Sequence, residues 1–187
     1  MPDRTTYAHR PPIVRGAVIA APRDPLPFDP VEEARRHWVD HGWQDAADGM
    51  AMVTSITRVQ QILQARIDEV LRPLGLTFAR YELLMLLSFS RAGRLPLRVI
   101  GARLQVHPAS VTNAVDRLEA QGFVERQAHP TDRRTRLAAI TDPGRKVAAE
   151  GTDRLNEQVF RQIPLSDEDL QTLHRVLRAV RHDAGDF

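Results

Sequence analysis

Thr112, Asn113 and Arg117 fall within two turns of one short helical pattern, and Arg133 and Arg134 follow at a turn-forming tip. An asparagine amide can pair bidentately with an adenine edge, and a threonine offers a hydroxyl or a methyl to a base. Arginines bind phosphates, and an arginine on a thin hairpin can enter a narrow minor groove, where the negative potential is enhanced. The chemistry these residues imply is recognition of double-stranded DNA rather than the making or breaking of bonds. Arg98 and Arg117 sit toward the edges of this surface, where phosphates run. Pro108, Ala109 and Ser110 are small enough to let a helix approach a groove about 12 Å wide.

No second constellation competes with this one. Gly42, Gly49 and Gly75 are isolated breaks rather than a phosphate-cradling loop. Ser110 lacks the glycine elbow of an activated nucleophile and a plausible His/Asp pairing. His37 and His41 stand four apart on an expected helix, but a usual zinc site needs three or four ligands. His174 and His182 would have to join them through the fold, and solvated surface histidines are the simpler reading. We expect neither enzyme activity, nor a metal, nor a cofactor.

The elements that must carry the reading residues are legible from periodicity. Leu97, Ile100 and Leu104 lie on one face of a helix whose first turn tolerates Pro96. Gln105 and Val106 make a turn. A second helix opens near His107 and Pro108 and repeats Val111, Val115 and Leu118 at intervals of four and three. Burying those three turns Ala109 and Asn113 outward, flanked by Thr112 and Asp116 on one side and by Ser110 and Arg117 on the other. Gly122 ends the helix as a residue that accepts the left-handed conformation. Phe123–Arg126 and Arg136–Ile140 then read as paired strands around His129–Arg134. Asp132 is placed to hold Arg134, leaving Arg133 free to reach outward. The order is a helix-turn-helix followed by a β-hairpin wing.

Within it, S-V-T-N-A-V-D-R-L-E from Ser110, Q-G-F-V-E-R from Gln121, D-R-R from Asp132 and I-T-D-P-G from Ile140 occur in a familiar order and spacing. The stretch resembles the winged-helix core of the MarR family of bacterial transcriptional regulators. The resemblance extends from about Gly49 to the C-terminus. It implies a homodimer on a pseudo-palindromic operator, often a repressor, often released by a small-molecule effector. The family's effector pocket lies between the dimerisation helices and the winged domain. Trp38, Trp43, Arg58, Phe78 and Tyr81 are the candidate lining residues here, and aromatic walls with one arginine suit an aromatic or acyl carboxylate.

Composition agrees. Among 187 residues the net charge is only +2, but Arg94–Arg136 concentrates eight arginines against four acids. A local footprint of this kind is what phosphate binding requires. With no cysteine, disulfides, thiolate metal sites and thiol redox sensing are excluded. The most apolar run, Tyr81–Phe89, is far short of a membrane span, and Arg15 interrupts the short apolar stretch that a leader would need. We expect a cytoplasmic protein.

The expected organisation has four parts. Residues 1–28 hold six of the thirteen prolines and four arginines, and read as a disordered tail, inert or a DNA contact. Residues 29–75 carry the N-terminal dimerisation helices. One starts at Asp29-Pro30; the other runs over Asp48–Leu71 with Met52, Ile56, Val59, Leu63, Ile67 and Val70 as one buried stripe. Residues 76–140 form the winged helix-turn-helix, opening with a helix capped by Thr77 that runs to about Arg91. Residues 141–187 carry the C-terminal dimerisation helices, one capped by Thr141 or Asp142. The last is capped at Ser166, with Leu170, Leu173, Leu177 and Val180 as its stripe. A lone winged unit cannot bury all of these apolar faces, so a second subunit is the economical solution. The fold class is mainly α with a small β-hairpin wing. Two other functions remain open: a winged helix used for protein interaction or scaffolding without sequence-specific reading, and a DNA-binding regulator with no effector.

Overall fold

The computed structural model describes residues 25–129, 131 and 135–187. Among the described residues, seven α-helices and three strands follow one another: α1 (Pro30–Asp40), α2 (Gln44–Leu71), α3 (Phe78–Phe89), β1 (Arg94–Pro96), α4 (Leu97–Leu104), α5 (Pro108–Ala120), β2 (Val124–Ala128), β3 (Arg136–Ile140), α6 (Asp142–Gln158) and α7 (Asp167–Asp183). The chain divides into two compact units, Met1–Arg66 and Ile67–Phe187.

In the first unit, Asp29 caps α1 by accepting from the Val31 N–H at 2.8 Å, with Pro30 in the first turn. His41 and Gly42, the latter at φ 84°, end it. The next helix begins at Gln44 rather than Asp48, because the Ala46 N–H already donates to the Trp43 carbonyl at 3.1 Å. Met52, Ile56 and Val59 were expected to be buried. They are 47, 43 and 51% exposed, joined by Val53 and Ile62, and only the lower end of the stripe, Ile67 and Val70, is buried.

The second unit is built around one apolar core. Leu71, Leu76, Tyr81, Leu83, Leu84 and Leu87 meet Ile100 of α4, Val111, Val115 and Leu118 of α5, Val124 and Ile140 of the sheet, and Ala148, Leu155 and Val159 at α6. Thr77 caps α3, as its position before Phe78 requires. That helix stops at Phe89 rather than Arg91, where Ser90 turns extended and donates its N–H to the Leu87 carbonyl.

The wing is a three-stranded antiparallel sheet in the order β1-β3-β2, not a hairpin alone. Val124 stands opposite Ile140 and Ala128 opposite Arg136, while Leu95 of β1 pairs with Ala138 on the other edge of β3. Pro96 therefore ends a strand and occupies the N-cap of α4 rather than its first turn. Thr141 caps α6 through Gly144, and Ser166 caps α7 through the Asp169 N–H at 3.1 Å. Nothing on α7 is buried: Leu173, Val176 and Val180 stand 45, 47 and 51% exposed.

Candidate nucleic-acid interface

Three features fix the turn between α4 and α5. Gln105 closes α4 in the left-handed region at φ 54°, alone in this among the described non-glycine residues. The Val106 N–H donates to the Gly101 carbonyl at 3.1 Å. Gly101 itself permits the close crossing, since a Cβ there would stand 3.3 Å from both the Val106 oxygen and a Val111 methyl. His107 then caps α5, its Nδ1 accepting from the Ala109 N–H at 3.2 Å, and Pro108 takes the first turn.

With Val111, Val115 and Leu118 buried to 2% exposure or less, Pro108, Ala109, Ser110, Thr112, Asn113 and Arg117 are all exposed, as is Arg98 on α4. The exposed half of α5 lies between two recesses. One, of about 540 Å³, is lined in part by Arg98, Pro108 and Thr112. The other, of about 750 Å³, is lined in part by Ser110, Asn113 and Arg117 on one wall and by Thr77 and Arg80 of α3 on the other. Thr112 spends its hydroxyl hydrogen on the Pro108 carbonyl at 3.1 Å, so it presents a methyl and oxygen lone pairs to a ligand.

Electrostatics sharpen the footprint. Asp116 and Glu119 are the acids of α5, and both pair with Arg126 of β2. The Arg126 N–H also donates to Glu119 at 3.0 Å. Burial opposes the Arg126 charge, but the hydrogen bonds and charges of Asp116 and Glu119 outweigh it, and its pKa is raised. The acids of α5 are thus paired from the wing side. Arg98 and Arg117 form no ion pair among the described residues, so their charges stay available.

Arg133 and Arg134, with the supporting Asp132, lie outside the described residues. The strands that lead to them are in register up to Ala128 and Arg136, and the His129 N–H reaches the Thr135 carbonyl at 3.4 Å.

The aromatic residues fall into two groups. In the first unit Trp38 and Trp43 meet edge-to-face with centroids 5.3 Å apart, Trp43 also stacks on His41, and Arg58 is exposed on α2. In the second, Phe78 and Tyr81 stack at 6.1 Å, and the buried Tyr81 bonds through its hydroxyl to Thr152 at 2.9 Å. His41 Nδ1 lies 2.7 Å from the His37 carbonyl, and His37 faces Glu33. No cluster of three or more potential metal ligands occurs among the described residues. Nor is any described helix long and apolar enough to cross a membrane.

Sequence reasoning named Thr77 only as a helix cap and passed over Arg80; both share a recess with the exposed face of α5. A signal was present: Arg80 stands at the third position of α3, where the positive end of the helix dipole favours an acid.

This arrangement matches known proteins. The MarR family model fits residues 74–135. Among solved structures, Sco5413, a MarR family transcriptional regulator from Streptomyces coelicolor, is 48% identical over 75% of this chain and 97% of its own, with a TM-score of 0.68. Sco3205 from the same organism, solved in complex with DNA, is 27% identical over 73% of this chain and 88% of its own, at 0.66. CouR from Rhodococcus jostii RHA1, solved bound to p-coumaroyl-CoA, is 25% identical over 69% and 90%, at 0.61. The capped α5 after a tight turn, a three-stranded wing and a near-complete match to Sco5413 at this identity together place the chain in the MarR family of transcriptional regulators.

Proposed function

We propose that the protein binds an inverted-repeat operator as a homodimer and represses transcription from it. The observation that carries this reading is the exposed half of α5. It presents small and short polar side chains between two recesses, its own acids are tied to the wing, and its flanking arginines are unpaired. Such a face enters a major groove without steric or electrostatic obstruction. The exposed apolar residues of α7 supply the reason for a dimer, because a stripe of this kind is costly to leave in water. Two such subunits read half-sites whose centres lie about one helical turn, or 10–11 base pairs, apart. A DNA-binding regulator of this kind works in the cytoplasm.

The proposal includes release by a small carboxylate. Trp38, Trp43 and Arg58 in the first unit, and Phe78 and Tyr81 in the second, are the residues to vary. Tyr81 already commits its hydroxyl to Thr152, so its contribution would be apolar. CouR was solved bound to p-coumaroyl-CoA, the thioester of an aromatic acid, so acyl-CoA thioesters stand beside the free acids as candidates. Thermal shifts across a panel of aromatic and acyl carboxylates test it, and no stabilising compound would leave the regulator without this arm.

The reading itself is tested by selecting the preferred operator from randomised duplexes, for wild type and for Asn113→Ala and Thr112→Ala. Both variants are expected to change the preferred bases. An unchanged preference in both would remove α5 as the reading element, and a scaffold without sequence preference would return none in any of the three.

A further inference from the structure

Arg80 is held in a way that leaves its charge unspent. Its Nε donates to the Thr77 hydroxyl at 3.2 Å, and its Nη1 donates to the Gln121 side-chain oxygen at 3.3 Å. Gln121 is itself fixed, its amide nitrogen donating to the Gly75 carbonyl at 3.0 Å. Every one of these partners is neutral, and Arg80 forms no ion pair among the described residues. Arg35, Arg36, Arg126, Arg154 and Arg181, by contrast, all lie against carboxylates. Neutral acceptors orient a guanidinium without cancelling its field, so the remaining N–H groups are presented to an outside anion at little further entropic cost. The position is unfavourable for folding alone, since a cation in the first turn of α3 opposes the helix dipole. A side chain fixed where local electrostatics disfavour it points to a ligand.

The recess it faces names the ligand. Thr77 and Arg80 form one wall, while Ser110, Asn113 and Arg117 of the reading helix form the other. A helix seated in a major groove has a phosphodiester strand along each edge. On the α4 side, Arg98 lines the matching recess. We infer that Arg80 is a phosphate clamp for the operator strand on the α3 side, and that Gln121 is its positioning residue. This rests on the DNA-binding reading above and adds to it a contact made outside the helix-turn-helix.

The test is a salt titration of binding, using full-length protein and both the selected operator and a random-sequence duplex. Arg80→Ala is expected to weaken operator binding on the order of tenfold, the cost typical of a charge-assisted hydrogen bond. It should also lower the slope of log affinity against log salt by roughly one unit per bound subunit. The preferred operator sequence should not change. Arg80→Gln, which keeps a polar side chain there, should reproduce the slope change, and Arg80→Lys should restore the slope. Gln121→Ala should weaken binding severalfold in the wild-type background but add nothing to Arg80→Ala. A wild-type slope and affinity in both neutral variants would overturn the clamp, and so would an altered base preference. Failure of the wild-type protein to bind either duplex would instead overturn the DNA-binding reading beneath it.

Discussion

Replacing Arg126 by alanine isolates the link between the wing and α5. The guanidinium reaches Asp116 and Glu119 together, and its side chain is 27% exposed while theirs are 56 and 39% exposed. Exposed pairs are worth about 0.2–1 kcal/mol each after screening, so losing both should cost roughly 1 kcal/mol of stability. For a chain of this size that lowers the melting temperature by about 2–4 °C. The effect on DNA should be of similar size and different origin. Two carboxylates are released beside the proposed DNA-binding face, and each would repel a phosphate roughly 8 Å away by about 0.5 kcal/mol in water. Together they should weaken operator binding about fivefold. Removing a released acid should then help: Asp116→Ala, which costs stability in the wild-type background by losing its Arg126 pair, should partly rescue binding in Arg126→Ala. Thermal melts and fluorescence anisotropy on the four proteins of this cycle measure both effects. Arg126→Ala that melts and binds like wild type, with the two substitutions additive within about 0.3 kcal/mol, would refute the link.

Of three further outcomes, two follow from the structure and the last, at Arg133, from the sequence alone. Burial raises the pKa of Glu82 above its ordinary value, so the folded protein binds that proton more tightly than the unfolded chain does. This contribution to stability is complete below pH 4.5, the group's ordinary value, and is lost as pH rises through the raised value; Glu82→Gln should therefore melt higher than wild type at pH 7, with the advantage gone near pH 4, and an equal gain at both would point to another cause. Charging the exposed face of α7 with Leu173→Glu and Val180→Glu should leave helix content intact yet convert a dimer to a monomer in sedimentation; a wild-type protein already monomeric at micromolar concentration would remove the two-fold operator model. Arg133→Ala should weaken operator binding by more than about 1 kcal/mol without lowering the melting temperature, and equal affinity would deny this residue a groove contact.

Much of the winged core is legible in the sequence alone. Periodicity alone assigns Val111, Val115 and Leu118 to the interior, and all three are buried. That result orients Asn113 and Thr112, because on a helix a buried stripe dictates its opposite face. The caps at Asp29, Thr77, Thr141 and Ser166 are local hydrogen bonds between a short side chain and a nearby N–H, so sequence proximity suffices to read them. The first strand could not be read in this way. Arg94–Pro96 is too short for alternation to register, and it is a strand because β3 pairs with it from more than forty residues away. A similar distance hid the Arg80–Gln121 bond, 41 residues apart; the Arg126 pairs span only 10 and 7 residues, yet they join a helix to a strand whose relative placement only the packed core determines. Periodicity also promised one buried stripe along α2. It located the apolar residues correctly, but a pattern states which residues favour burial and not what covers them, and Met52, Ile56 and Val59 remain exposed in the single chain. Local interactions with a fixed spacing were therefore determined by the sequence itself. Contacts between distant residues, and the charges they leave paired or free, were decided by the tertiary structure.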